Sequence, residues 1–203
     1  MSRSLGLRDR KKLDTRKALS DAALSLVFER GLDNVTREDI AARAGVSVRT
    51  FGNYFAGKYD VLAYRQVERV RRSLVALRGR PAGEPIWTAI SAAVTEPLEA
   101  DGADDFLPST AHLTELRKLM LAPEARMAIS NEVFADWVEV IAERTGTDPL
   151  QDLYPRLVAG AVRAVVEAAL DTYVHADPPV NIVTLLKNGF SAVATGLSPP
   201  TTR

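Results

Sequence analysis

The sequence has no cysteine, and His112 and His175 are its only histidines. Without cysteine the chain forms no disulfide and has no thiolate nucleophile, which fits a reducing compartment. Two histidines so far apart in the chain do not have the spacing of a metal site. The motifs of phosphate-binding loops, serine-hydrolase elbows and zinc proteases are also missing. We therefore predict no catalytic residue, no metal site and no cofactor, and expect that the protein is not an enzyme.

Long apolar runs are missing as well. Arg163, Glu167 and Lys187 interrupt the best candidates, whereas a membrane-spanning helix needs about 18 or more apolar residues in succession. The basic start, MSRSLGLRDRKK, is not followed by the apolar stretch of a secretory signal. We expect a cytoplasmic protein with no membrane partner.

Alternating β-branched residues bounded by hairpin turns are rare too, while apolar residues recur at helical spacing almost throughout. The sequence predicts an all-α protein of about nine helices. Glycine, proline and capping residues place these helices at about 13–30, 36–44, 47–55, 58–78, 85–99, 109–121, 123–145, 149–176 and 179–196.

The net charge of zero, 26 basic and 26 acidic residues, hides an asymmetry. Residues 1–80 contain 18 Lys and Arg against 9 Asp and Glu, a charge of +9, and the remainder therefore carries −9. The charge changes sign at the turn-rich segment GRPAGEP, residues 79–85. A basic half favours a polyanionic partner such as nucleic acid, although a merely solvated basic surface is an equal alternative on charge alone.

These features divide the chain into four parts. We predict a basic flexible arm at 1–12, a helix-turn-helix domain at 13–57, a connecting helix at 58–80, and a ligand-binding and dimerisation domain at 81–203. Within the second part, Thr36 and Asp39 have the spacing of a capping box, and Ser47 has the character of an N-cap after the turn at Gly45. Two short helices joined by a tight turn are the arrangement of a helix-turn-helix reader of double-stranded DNA.

On a helical wheel, Val48, Phe51 and Phe55 fall on one side of the third helix and should face its own core. Arg49, Thr50 and Asn53 project from the other side. Arginine can pair with guanine and asparagine with adenine in the major groove, so these three residues are the predicted base readers. At the helix starts and flank, the predicted contacts to the DNA backbone are Thr36, Ser47, Tyr54 and Lys58. For Thr36 and Ser47, capping alone is the alternative.

The segment VTREDIAARAGVSVRTFGNYFAGKYDVL, Val35–Leu62, preceded by AALSLVFERG, resembles the DNA-binding domain of the TetR family of transcriptional regulators. The resemblance implies a three-helix helix-turn-helix domain followed by a helical ligand-binding and dimerisation domain. It also implies a homodimer that binds a palindromic operator, usually as a repressor, and leaves it when a small molecule binds. Gly52 departs from the family pattern, which commonly has an aromatic residue there that touches the DNA backbone.

In the last part of the chain we name two sets of candidates. The ligand candidates, a mostly apolar set with two polar members, are Trp87, His112, Arg117, Met120, Phe134 and Trp137. The dimer candidates, on the last two helices and matching the arrangement that the resemblance implies, are Ala161, Ala164, Ala168, Leu186 and Phe190. For both sets the alternative is plain core. A mostly apolar pocket suits a lipophilic effector.

A second function remains open on the sequence. The chain could be a helical small-molecule-binding protein or an enzyme whose basic N-terminal segment does not read DNA. Salt distinguishes the two, because a DNA reader loses affinity steeply as salt rises while still preferring one sequence.

Overall fold

The structure is a computed structural model that describes residues 6–102 and 109–197. Over those ranges it is built from α-helices without a β-strand, which confirms the all-α prediction. A short 3-10 turn, Leu32–Asn34, separates the first two helices. None of the helices described combines the length and apolarity that crossing a bilayer requires. The helices are α1 Leu7–Arg30, α2 Arg37–Arg43, α3 Val48–Gly52, α4 Lys58–Gly79, α5 Ile86–Ala100, α6 Thr110–Leu121, α7 Pro123–Thr145, α8 Leu153–His175 and α9 Ile182–Ala194.

Helix α1 differs from the predicted flexible arm over 1–12, because residues 7–12 are its first turns. Residues 1–5 lie outside the described ranges. The arm was predicted from polar composition. Polar composition indicates that side chains are exposed to solvent, but it does not indicate which conformation the backbone adopts. Arginine and lysine have good helix propensity, since their unbranched side chains lose little rotamer freedom in a helix. The helix ends as predicted at Gly31, whose φ of +83° is one that glycine adopts without strain.

The chain forms two compact units that do not follow chain order. The first unit contains the chain up to Val67 together with Thr114–Ile129, and the second contains Glu68–Leu113 and the chain from Ser130 onwards. Both α4 and α6 contribute residues to each unit. The four parts predicted from the sequence therefore do not coincide with these two compact units. The functions predicted for the four parts stay predictions.

In the first unit, α1, α2 and α3 pack around one apolar cluster, and an apolar stripe of α1 faces it. Leu19, Leu26 and Val27 are nearly or completely buried, as are Ile40 of α2 and Phe51 of α3. Phe55 continues this cluster, and its ring lies edge-on to Tyr64 with centroids 5.6 Å apart. Burying apolar surface is the main source of stability of such a small bundle.

In the second unit, α9 packs against both α5 and α8. Ile90 and Ala93 of α5 and Leu186 and Phe190 of α9 are all buried. The approach of α9 to α8 is so close that a Cβ built on Gly189 would lie 2.7 Å from Cγ1 of Val165. A residue larger than glycine at this position would need the neighbouring side chain to move.

Candidate nucleic-acid interface

Helix α2 begins with the predicted capping box. The hydroxyl of Thr36 accepts a hydrogen bond from the backbone N–H of Asp39 at 3.2 Å, and the backbone N–H of Thr36 donates to the Asp39 carboxylate at 3.0 Å. The Thr36 hydroxyl also donates to that carboxylate. These hydrogen bonds lower the pKa of Asp39, so the carboxylate stays ionised at the helix start, where negative charge is favoured.

A tight turn joins α2 to α3. Gly45 has a φ of +69°, and the N–H of Val46 donates to the carbonyl of Ala41 at 2.9 Å. Ser47 then caps α3, because its hydroxyl accepts from the N–H of Thr50 at 3.0 Å. The structure therefore confirms both helix starts and the turn between them, which together set the direction of the recognition helix.

Helix α3 is shorter than predicted. It ends at Gly52 rather than near Phe55, so Asn53 is its C-cap and Tyr54 follows in the turn. Val48, expected in the core, is instead 40% exposed. Helical side chains lean over the turn before them, and the first residue of a helix has no helical turn before it to cover. Phe51 and Phe55 are buried as expected.

The predicted base readers are on the accessible side of this segment. Arg49 and Asn53 are exposed, and Thr50 is half-buried with its hydroxyl 2.8 Å from that of Ser47. Over the part of the chain that the structure describes, Arg49 takes part in none of the ion pairs. Its guanidinium is therefore available to a ligand. Tyr54 is half-buried and packs against the first unit's core.

Gly52 is the last residue of α3, not its middle. A Cβ built there meets nothing within 4 Å. The glycine is therefore not required by close packing within the chain, and the backbone of α3 is accessible at this point.

Lys58, a predicted contact to the DNA backbone, has partners within the first unit. Its ammonium donates to the carbonyl of Leu32 at 3.0 Å and lies 3.3 Å from the carbonyl of Val35. It also lies 5.5 Å from the centroid of the Tyr59 ring. These partners direct the charge into the first unit, where it connects the start of α4 to the segment before α2. Sequence position at a helix start suggested a phosphate contact, but the neighbouring carbonyls compete for the ammonium.

Several basic side chains near the reader are neutralised within the chain. Arg43 forms a two-point pair with Glu29, at 2.8 and 2.7 Å, and Arg37 pairs with Glu38 at 2.8 Å. Hydrogen bonds from these arginines lower the pKa values of Glu29 and Glu38. The accessible positive charge of the first unit is thus concentrated at Arg49 and on α1, where the exposed residues include Arg10, Lys11, Lys12 and Lys17.

The sequence missed a contact that comes from α6. In the first unit, the N–H of Leu32 donates to the carboxylate of Glu115 at 2.6 Å, and the ammonium of Lys118 lies 3.5 Å from the carboxylate of Asp33. Leu119 packs against the apolar cluster of the same unit. No local motif marks these residues, because the contact depends on which helix lies next to the turn.

The ligand candidates divide between the units. Arg117 and Met120 belong to the first unit, and the second contains Trp87, His112, Phe134 and Trp137. Trp137 is 6% exposed and forms part of the core, which fits the core alternative. Phe134 has the guanidinium of Arg163 at 5.2 Å from its ring centroid. The six candidates therefore do not all belong to one unit.

Trp87 lines a groove of about 480 Å³ in the second unit. Small-molecule sites usually have volumes of about 300–1,000 Å³. The two basic residues of the groove are already paired, Arg80 with Glu84 and Glu96, and Lys187 with Glu99. Its remaining walls are mixed in polarity and are formed by Thr88, Ser91, Ala92, Thr95, Phe190, Ser191 and Ala194.

The dimer candidates also separate into two groups. Ala164 and Ala168 are exposed and Ala161 is half-buried, whereas Leu186 is 3% and Phe190 is 1% exposed. The burial of Leu186 and Phe190 within the second unit fits the core alternative for these two residues. An exposed apolar stripe does exist on α8. It continues from the three alanines to Leu157, 59% exposed, and Leu153, 68% exposed.

Comparison with known proteins gives two family matches. Residues 19–64 match the model described as bacterial regulatory proteins, tetR family, and residues 84–198 match the MftR C-terminal domain. The helix-turn-helix built above lies inside the first match. The second covers more than half of the chain.

Curated and solved relatives agree with these matches. The chain is 32% identical over 179 residues to the transcriptional regulator TcmR of Streptomyces glaucescens, covering 85% of this chain and 79% of that one. It is 28% identical to MftR of Mycobacterium tuberculosis, with 93% of each chain covered. The fold is similar to that of Thermus thermophilus FadR in complex with lauroyl-CoA, at 18% identity and a TM-score of 0.58, covering 93% and 99% of the two chains.

Proposed function

Because the chain belongs to the TetR family of bacterial regulatory proteins, it is a DNA-binding transcriptional regulator, and we propose how its residues perform that role. Two copies bind a palindromic operator as a repressor, and a small lipophilic effector releases them. The observation that carries the proposal is the exposed guanidinium of Arg49 on a capped recognition helix.

In this proposal Arg49 reads a guanine, Asn53 reads an adenine, and the methyl group of Thr50 contacts a thymine. Thr36, Ser47 and Tyr54 position the reader on the DNA backbone. At Thr36 and Ser47, whose hydroxyls are engaged in capping, the contact would be made by N–H groups of the helix starts other than those that the caps bind. Lys58 is not part of the set.

The exposed stripe of α8 supports a homodimer. The spacing of Leu153, Leu157, Ala161, Ala164 and Ala168 keeps these residues on one face of the helix. Contiguous apolar surface of this kind is usually covered by a partner. A second copy would cover it by two-fold symmetry, and would then carry two recognition helices. Operator half-sites would lie about one helical turn of DNA, roughly 34 Å, apart.

Dimerisation is tested by Ala164→Glu, which places a charge in the middle of the stripe. We expect a homodimer for the wild-type protein by sedimentation and a monomer for the variant. Arg156→Glu, on an exposed position of the same helix but outside the stripe, is the matched control and should remain dimeric. A monomeric wild-type protein at micromolar concentration would contradict the proposal.

DNA reading is tested by selection from random duplex DNA with the purified protein. We expect one palindromic sequence to be enriched. The affinity for it should fall by orders of magnitude between about 50 and 200 mM salt, because phosphate contacts release counterions. Enrichment of no sequence, with equal binding to all duplexes, would instead favour a basic surface that does not read bases.

The lipophilic effector is supported by the solved FadR in complex with lauroyl-CoA, and by the groove that Trp87 lines in the second unit of this chain. A ligand weakens DNA binding only if it binds the released conformation more tightly than the bound one. Titration of the selected duplex complex with lauroyl-CoA should therefore release the protein, and free coenzyme A should not. If neither lauroyl-CoA nor lauric acid has an effect, an acyl-chain effector is ruled out.

A further inference from the structure

The segment between α1 and α2 is held by two other helices of the first unit. It consists of Gly31, the 3-10 turn Leu32–Asn34 and Val35, and we refer to it as the hinge turn. Leu32 and Val35 are each 2% exposed. As the first residue of a 3-10 turn, Leu32 has no acceptor for its N–H within the turn itself. A partner from elsewhere must satisfy this buried donor.

That partner is Glu115 of α6. One carboxylate oxygen accepts from the N–H of Leu32 at 2.6 Å, and the other accepts from the ammonium of Lys118 at 2.9 Å. The side chain is only 15% exposed. The bond from Leu32 and then the bond from Lys118 lower the pKa of Glu115. A charged acceptor makes this a stronger hydrogen bond than one between neutral groups.

Lys58 of α4 holds the same turn with the opposite charge. Its ammonium binds the carbonyls of Leu32 and Val35. The peptide groups on both sides of the Leu32 side chain are therefore bound to charged groups, one from each of two helices. The carboxylate of Glu115 also lies against Gly31, 3.5 Å from the position of a Cβ there. The position of the hinge turn consequently depends on where α4 and α6 lie.

The hinge turn leads directly into the DNA reader. Val35 is followed by Thr36, the cap of α2, and Arg30 before the turn lies 3.5 Å from the Asp39 carboxylate of the same capping box. Helix α2 is joined to α3 by the short turn at Gly45. A displacement of Leu32 would therefore be transmitted to the start of α2 and, through it, to Arg49.

We propose that Glu115 is a positioning residue for operator binding: by binding the N–H of Leu32, it fixes the hinge turn and so the orientation of α2 and α3. The inference rests on the proposed function, because it concerns the same reader. Glu115 itself contacts no DNA in this proposal. It acts through the backbone of Leu32, and Lys118 holds its second oxygen.

The test compares Glu115→Ala, which removes the acceptor, with Glu115→Gln, which retains an amide oxygen in the same place. Lys118→Ala removes the neighbouring cation but leaves the carboxylate, and Glu139→Ala, on an exposed position of α7, is the matched control. Each variant is titrated with the duplex that the wild-type protein selects from random DNA. Hydrogen exchange of the Leu32 amide, followed by NMR, reports the contact without DNA.

We expect Glu115→Ala to lose about tenfold or more in operator affinity and to exchange the Leu32 amide faster, since a buried donor is left without a partner. The slope of log affinity against log salt should not change, because no phosphate contact is lost. Glu115→Gln and Lys118→Ala should each lose less than about threefold, as the acceptor remains. Glu139→Ala should bind like the wild type.

Faster exchange at Leu32 in Glu115→Ala with unchanged operator affinity would overturn the inference and leave the contact with a structural role only. If Glu115→Ala does not fold, Glu115→Asp replaces it, because the shorter side chain withdraws the carboxylate from Leu32 while keeping the charge. Unchanged affinity in a folded Glu115→Asp with faster Leu32 exchange would overturn the inference equally. If the wild-type protein itself selects no duplex, the proposed function fails, which is a different result.

Discussion

The side chain of Arg49 projects from α3 into solvent. The ion pairs of the neighbouring arginines explain why it differs from them. Arg37 and Arg43, its neighbours in sequence, are each paired with a glutamate of their own unit. Counting charges along the sequence does not distinguish an arginine that is paired within its own unit from one that is available to a ligand. The chemistry of Arg49 as a base reader was predicted from its place on a helical wheel, whereas its freedom from ion pairs within the described ranges follows from the packing.

Arg49→Ala should relax the preference at one base pair of each half-site. Loss of a two-point contact to guanine should cost about 1–3 kcal/mol of discrimination there. Competition titrations with single-base variants of the selected duplex measure this. Lys17→Ala, which changes an exposed cation on α1, is the comparison and should weaken all duplexes to a similar extent. An unchanged base profile in Arg49→Ala would remove this residue from the reading set.

Gly52 gives a second prediction at a single residue. Because it ends α3 rather than occupying its middle, and because a Cβ there meets nothing within 4 Å, Gly52→Ala should stabilise the protein by about 0.5 kcal/mol, less than the full difference in helix propensity. Urea denaturation measures the change. Destabilisation would show that this position needs glycine for a reason that the free protein does not reveal.

Gly52→Tyr tests the same position against DNA. The Cβ of a tyrosine would meet nothing within 4 Å in the free protein, and the side chain should tighten operator binding by adding a contact to the DNA backbone. Gly52→Ala is the control for the loss of glycine itself. If the tyrosine abolishes binding and the alanine does not, the glycine is there to let DNA approach closely.

Helices α8 and α9 show that helical periodicity does not reveal which surface covers an apolar face. Both helices were predicted, but α8 begins at Leu153 and α9 at Ile182, a few residues later than the sequence indicated. An apolar stripe identifies a face that is covered without identifying what covers it. For this reason the stripe of α9 is compatible with either a dimer interface or a core at Leu186 and Phe190, and both residues are buried in the structure.

Gly189→Ala should destabilise the protein by about 1–3 kcal/mol, since the added Cβ would overlap Cγ1 of Val165 at 2.7 Å. Thermal or urea unfolding measures the loss. Val165→Ala provides the matched background, because it removes the atom that is struck. In the Val165→Ala background, Gly189→Ala should be neutral or slightly stabilising, because alanine has a better helix propensity than glycine. An equal loss in both backgrounds would exclude the steric explanation.

For the molecule as a whole, carboxylates paired with basic residues dominate the response to acid. The pKa is lowered for Glu29, Glu38, Asp39, Glu84, Asp101, Glu115 and Glu143. A carboxylate whose pKa is lower in the folded state binds fewer protons there than in the unfolded chain. The stabilisation from these carboxylates should therefore be complete above their unfolded pKa values and be lost as the pH drops below them.

Asp101 is a carboxylate of this set that is bound by two arginines. It binds Arg69 at 2.9 Å and Arg72 at 2.7 and 3.0 Å. Burial by itself would raise its pKa, but the hydrogen bonds from Arg72 and Arg69 outweigh burial and lower the pKa from 3.8 to about 2. Its stabilisation is thus complete above pH 3.8 and is lost as the pH falls towards 2.

Asp101→Asn should cost about 1–2 kcal/mol of unfolding free energy near neutral pH, a figure reduced from the full shift because the pair is partly exposed. Urea titrations of both proteins at several pH values measure it. The difference between them should shrink as the pH falls below 3.8. Glu139→Gln, at an exposed position of α7, is the control for replacing a carboxylate with an amide. A difference that stays constant with pH would mean that the charge of Asp101 is not responsible.

Features that depend on local spacing can be predicted from the sequence. The apolar stripe of α1, the capping box at Thr36, the turn at Gly45 and the helix-turn-helix follow from residues that interact within a few positions of one another. The family resemblance rests on the same segment and is confirmed by the match over residues 19–64.

The partner that each side chain meets depends on how the helices pack, and it becomes known from the three-dimensional fold. That fold turned the ammonium of Lys58 to the carbonyl of Leu32, placed Glu115 on the N–H of the same residue, and buried Phe190 in its own chain. These pairs are far apart in sequence, and their contacts arise from the packing of whole helices. Helical periodicity fixes which face of a helix is apolar, but the neighbour of that face is set by how the helices come together.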